Sequence, residues 1–150
     1  HPDARPPVPP KPADLRGRLQ ATPTSDLLRA VSTGTLAMED FSSHIVPFLD
    51  LYCGIGGATE GLHNLMLPDG RQCRVVLAID PDHSTLAALQ ARNEDVPTLH
   101  HSLAENNAEL LATHVHALVP KGLLSVCTLF AAPRLSSPVD MARTVQWLLA

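Results

Sequence analysis

The chain has 150 residues, 45% hydrophobic and 17% charged, and a formal net charge of -4 with its eight histidines neutral. No apolar run approaches the roughly 18 residues that a membrane-spanning helix needs, and 11 Lys and Arg make no broad basic footprint for nucleic acid. The expectation is one soluble domain with flanking segments, without a membrane partner. Cys53, Cys73 and Cys127 form no CxxC pair, which argues against a disulfide framework or a zinc knuckle and suits a reducing, intracellular setting.

The chain opens with HPDARPPVPPKPAD, which holds six of the 14 prolines and one apolar side chain of size, Val8. Such a segment is expected to be an extended, polyproline-like arm, taken here as residues 1–22. Pro23-Thr24-Ser25-Asp26 offers helix-capping chemistry for a short helix, Leu27 to about Val31, closed by Gly34, so that residues 23–43 form a helical lead-in.

From His44 the texture changes to strand-length apolar runs alternating with helical spacing. The expected order is strand His44–Tyr52, helix Thr59–Leu67, strand Arg74–Ile79, helix Ser84–Arg92 and strand Val96–His100. A helix Ala104–Leu118, a strand Leu123–Phe130 and a helix Val139–Leu149 complete it. Alternation with short connections predicts an α/β fold over residues 44–150, with a parallel sheet covered by helices on both faces. The start at His1 and the stop within an apolar pattern suggest a truncated domain.

Three glycines, Gly54, Gly56 and Gly57, lie between the first strand and the first helix of this series. Glycine there permits backbone angles closed to other residues, or close approach of a ligand to the main chain. A phosphate-binding P-loop would need a Lys that is absent, and a dinucleotide fingerprint from Gly54 would need glycine where Thr59 stands. The second strand ends in Asp80-Pro81-Asp82. A carboxylate at a strand end across from such a turn can accept both hydroxyls of a ribose; Asp80 fits this role, and Asp82 fits the cap of the following helix. The combination suits an adenosine-type ligand without a pyrophosphate, such as S-adenosylmethionine.

DLYCGIGGATEGL, Asp50 to Leu62, resembles the first motif of DNA (cytosine-5) methyltransferases through Asp50, Leu51, Tyr52, Gly54, Gly56, Gly57, Gly61 and Leu62. Asp80-Pro81-Asp82-His83 looks like the second motif of that family. The resemblance covers about residues 44 to 93. It implies a Rossmann-like class I methyltransferase fold that binds S-adenosyl-L-methionine and transfers its methyl group to C5 of a cytosine flipped out of double-stranded DNA. It implies a cofactor site built from Asp50, Tyr52, Cys53, Gly54, Ile55, Gly56, Gly57, Asp80 and Pro81, and a nuclear or bacterial cytoplasmic location.

The later motifs of the family depart from this pattern. The family's third motif supplies a carboxylate after the third strand, where this chain has His100-His101. Adjacent strand residues point to opposite faces, so this pair is not expected to hold a metal. The family's attacking thiol belongs to a Pro-Cys dipeptide after the fourth strand; Cys127 is the candidate nucleophile, although Val126 precedes it and a cysteine inside the apolar run Leu123–Phe130 is by default a buried, inert side chain. The family's Glu-Asn-Val and Arg-x-Arg segments are absent. Two alternatives stand beside this reading: a methyltransferase for another substrate, and a non-catalytic cofactor-binding or scaffold module.

Overall fold

A computed structural model of the chain describes residues 4–7, 12–54, 56–102, 107–131 and 146–150. Three helices precede the sheet: α1 (Pro12–Ala21), α2 (Thr24–Thr33) and α3 (Met38–His44). The first corrects an expectation, since residues 12–21 were assigned to the extended arm. Proline is tolerated in a first helical turn, where its missing amide has no acceptor to lose, and Leu15 and Leu19 lie four apart on one side. Leu19 is buried in the main core with Leu15 packed against it. Gly34 ends α2 in the left-handed conformation, with φ of 80°, as the sequence predicted.

Four strands follow, β1 (Ile45–Leu51), β2 (Gln72–Asp80), β3 (Thr98–His100) and β4 (Thr128–Ala131), interleaved with α4 (Gly57–Leu62), α5 (His83–Arg92), α6 (Ala108–Leu118) and α7 (Lys121–Leu124). All three strand pairings are parallel, and the strand order is β3-β2-β1-β4. The fold is therefore α/β with an all-parallel sheet, consistent with a Rossmann-like arrangement. The chain runs outward from β1 through β2 to β3 and then returns to the other side of β1. That return makes a topological switch point at the carboxyl end of β1.

Alternate residues of β1 enter two separate cores. Ile45, Leu49 and Leu51 join α1, α2, α3, α6 and α7, whereas Phe48 joins Leu86 and Leu89 of α5. The register slips between Phe48 and Leu49, which pair with Val75 and Leu77. The extra residue, Val76, joins Leu77 in the main core, while Val75 and Ala78 serve the core under α5. One bulge thus lets consecutive residues of β2 face the same layer. Every residue of β2 is buried, as expected for a strand covered on both faces. The β1–β4 ladder starts at Phe48, immediately after Pro47, which has no amide hydrogen to offer it.

Two further expectations change at their boundaries. The helix expected over Thr59–Leu67 ends at Leu62, because Asn64 takes φ of 67° and the chain folds back on β2. The Asn64 amide bonds the Cys73 carbonyl, the Cys73 amide bonds the Leu65 carbonyl, and Met66 bridges Gln72 antiparallel. The strand expected over Leu123–Phe130 is helical at its start. The Pro120 carbonyl accepts from the amides of Leu123 and Leu124, so α7 forms and buries both leucines, leaving four residues for β4. Of the expected helices, Ala104–Leu118 is described from Asn107 onward, and of Val139–Leu149 residues 146–149 are described and helical.

Candidate functional site

The site lies where β1, β2 and β4 end together: Leu51 pairs with both Ile79 and Ala131. Beyond Leu51 the backbone reverses through left-handed angles at Tyr52 (φ 56°), Gly54 (φ 55°) and Gly56 (φ 96°). The amide of Gly56 closes the turn on the Cys53 carbonyl at 3.0 Å, and the Cys53 amide donates to the Ile79 carbonyl at 3.2 Å. A β-carbon on Gly56 would lie 2.9 Å from Cγ of Leu89, so glycine lets α5 pack against the turn. A β-carbon on Gly54 or Gly57 would meet nothing within 4 Å, so both residues border open space.

Asp80 ties the two strand ends together. Its Oδ2 accepts the Gly54 amide at 3.0 Å and its Oδ1 accepts the Asp82 amide at 2.9 Å. Each oxygen keeps one further lone pair, the capacity a pair of sugar hydroxyls would use. Asp82 caps α5 as predicted, its Oδ1 accepting the amides of Ser84 and Thr85 at 2.9 and 3.2 Å. Pro81 is exposed, and its carbonyl accepts a bond from Nε2 of His100 at 2.8 Å.

Asp50 sits beneath the turn. Its Oδ2 accepts the Thr59 hydroxyl at 2.7 Å, whereas Oδ1 is buried without a hydrogen-bond partner among the described residues. The residue is 2% exposed. Burial pushes its carboxyl upward, the Thr59 bond opposes this, and the charge of Asp80 adds to the rise. Burial, together with Asp50 and Asp80, pushes the neighbouring Cys53 thiol up to about 12. The edge thus presents two carboxylates and an uncharged thiol. It repels phosphate and favours a ligand carrying positive charge or spare N–H donors.

The expected site residues divide into those brought together and those left apart. Asp50, Tyr52, Cys53, Gly54, Gly56, Gly57, Asp80 and Pro81 all lie at this edge; Ile55 lies outside the described residues. Cys127 does not join them. It precedes β4 instead of following it, four residues before the Ala131 that pairs with Leu51, or roughly 13 Å of strand. Burial pushes its thiol up to about 12. Cys127 thus takes the buried role that its place in an apolar run predicts, packed against the main core, and not that of the candidate nucleophile.

Sequence reasoning missed a polar network at the opposite end of the sheet. The Asp95 carboxylate accepts the Thr24 amide at 2.8 Å, the Thr24 hydroxyl at 2.6 Å and Nε2–H of His63 at 3.0 Å, and it lies 3.5 Å from the Arg74 guanidinium. It thereby caps α2 from 71 residues away. Buried Arg74 also donates to the carbonyls of Gln20 and Thr22 and to Gln72. Nothing local in the sequence marks this cluster.

Compared with models of known protein families, with curated proteins and with solved structures, the chain matches none. No group of three or more His, Cys, Asp or Glu side chains among the described residues is placed to hold a metal ion. No helix among them is long and apolar enough to cross a membrane.

Proposed function

We propose that the chain is the S-adenosyl-L-methionine-binding part of a methyltransferase of the DNA (cytosine-5) type, with a Rossmann-like class I fold. The observation that carries the cofactor is the orphaned Oδ1 of Asp50, 2% exposed, under a glycine turn that Asp80 clamps. A buried acceptor without a partner costs about 1–3 kcal/mol, and a ligand ammonium or amide donor removes that cost. The Asp50–Asp80 pair suits a ligand with an ammonium and a sulfonium and disfavours a pyrophosphate. Asp50 and the turn Tyr52–Gly57 would hold the amino-acid end, and Asp80 the sugar hydroxyls. The bound cofactor supplies a methyl group activated by positive sulfur.

The cytosine reading rests on the resemblance of Asp50–Leu62 alone. Cys127 is remote from this edge, and Cys53, which lies at it, is buried and held as the thiol. Among the described residues no thiolate is placed to attack a base. That observation favours the second reading, a cofactor-binding module without methyl transfer of its own.

Calorimetric titration with S-adenosylhomocysteine tests the cofactor, with Asp50→Asn as the control. We expect binding by the native chain and a loss of about tenfold or more in the variant, since one charged hydrogen bond is removed. No binding by the folded native chain removes the proposal. Transfer of a labelled methyl group to double-stranded DNA separates the enzyme from the module.

A further inference from the structure

Thr59 is fully buried in α4, and its one hydroxyl proton goes to Oδ2 of Asp50 at 2.7 Å, nine residues away across the glycine turn. Other helical threonines of this chain bond locally: Thr33 and Thr113 donate to the carbonyls of Arg29 and Glu109, four residues back. Thr59 departs from that habit, and the departure fixes Asp50. With Oδ2 held from α4, the carboxylate cannot turn freely, and Oδ1 is the oxygen left buried without a partner among the described residues.

We propose that Thr59 is a positioning residue of this site, its hydroxyl holding the Asp50 carboxylate so that Oδ1 meets the ammonium of the bound ligand, an inference that rests on the cofactor reading above. The surroundings of Asp50 leave this task to Thr59. Its register partners on β2 and β4, Ala78 and Phe130, carry no charge and no side-chain donor, and α5 turns Leu86 and Leu89 into the same layer. Asp80, two residues beyond Ala78 and therefore on the same face, is a second carboxylate; Cys53 in the turn is held as the thiol; Glu60, next to Thr59, pairs with Arg92 at the surface. Burial pushes the Asp50 carboxyl upward, the Thr59 bond holds it down, and the charge of Asp80 adds to the rise. A carboxylate with a raised folded value loses its charge as pH falls. Without the hydroxyl that loss begins at higher pH, and a cationic ligand is released earlier on acidification.

The experiment titrates two ligands calorimetrically between pH 5.5 and 7.5: S-adenosylhomocysteine, and methylthioadenosine, which keeps the nucleoside and the sulfur but lacks the ammonium. The proteins are the native chain, Thr59→Val and Thr59→Ser, with Thr59→Ala read in the same way should the valine chain not fold. Thr59→Val is expected to weaken S-adenosylhomocysteine about tenfold at pH 7.5 and further toward pH 5.5, by up to about tenfold per pH unit, while methylthioadenosine changes less than about twofold. Thr59→Ser, which keeps the hydroxyl, is expected to stay within about threefold of the native chain with an unchanged pH profile. Native-like affinity and pH profile in a folded variant without the hydroxyl overturn the positioning role and leave the cofactor reading intact. Equal weakening of both ligands in such a variant, with an unshifted pH profile, also overturns it, because packing alone then explains the loss. Absence of S-adenosylhomocysteine binding by the folded native chain overturns both.

Discussion

Asp80 holds the amide of Gly54 at 3.0 Å, and through this bond the end of β2 sets the shape of the turn that follows β1. The same carboxylate is the expected sugar-binding group, so its structural and ligand roles share one side chain. Asp80→Ala should lower unfolding free energy by about 1–3 kcal/mol, the range for losing charge-assisted bonds to two backbone amides. It should also reduce adenosine affinity by more than that destabilisation explains. Urea unfolding and calorimetry on the same sample separate the two effects.

Gly54 and Gly56 should respond differently to alanine. Both have positive φ, but only at Gly56 would the new methyl group meet Leu89, at 2.9 Å from Cγ. We expect Gly56→Ala to cost about 2–4 kcal/mol, from strain plus overpacking, and Gly54→Ala about 1 kcal/mol from strain alone. Because the space over Gly54 is open, its substitution should still abolish S-adenosylhomocysteine binding. Urea midpoints ordered the other way would contradict the packing described here.

The network at Asp95 predicts a pH dependence. His63 donates from Nε2 to Asp95 and accepts the Val75 amide at Nδ1, so it is held neutral, and burial lowers its pKa. With the folded value below the unfolded one of about 6.5, the unfolded chain binds the extra proton first, and stability falls as pH drops below about 6.5. Unfolding free energy measured between pH 7.5 and 5.5 should fall more steeply in the native chain than in His63→Gln. Asp95→Ala, which strands the Arg74 charge and uncaps α2, should cost about 3 kcal/mol at any pH in this range.

The three cysteines should be unreactive in the folded chain. Burial raises all three thiols, those of Cys53 and Cys127 to about 12. At pH 8 such a thiol is ionised in about one molecule in 10⁴. Reaction with a disulfide reagent should be at least about a hundredfold slower in the native chain than in urea. Rapid labelling of Cys127 in the folded state would restore it as a candidate nucleophile.

Which parts were legible follows from the range of the interactions involved. The cap at Asp82, the stop at Gly34 and the first two strands, expected to end at Tyr52 and Ile79 and ending one residue away at Leu51 and Asp80, are written in residues a few positions apart. The arm over residues 1–22 was misjudged at α1 because prolines dominate its composition, while the helix is held by Leu19 reaching a core formed later in the chain. The strand over Leu123–Phe130 was misjudged because an apolar run of that length does not distinguish a buried helical turn from a strand.

By itself, then, the amino-acid order determined the alternation of strands and helices, the glycine turn and the acids flanking it, since each depends on backbone angles and periodicity that neighbouring residues control. Only the tertiary structure decided that Asp50 is buried with an unmet oxygen among the described residues, that Asp80 grips Gly54, that His83 lies on His100, and that Cys127 precedes β4. Those facts arise from contacts between elements distant in the chain. They depend on strand order and register, which no local pattern encodes.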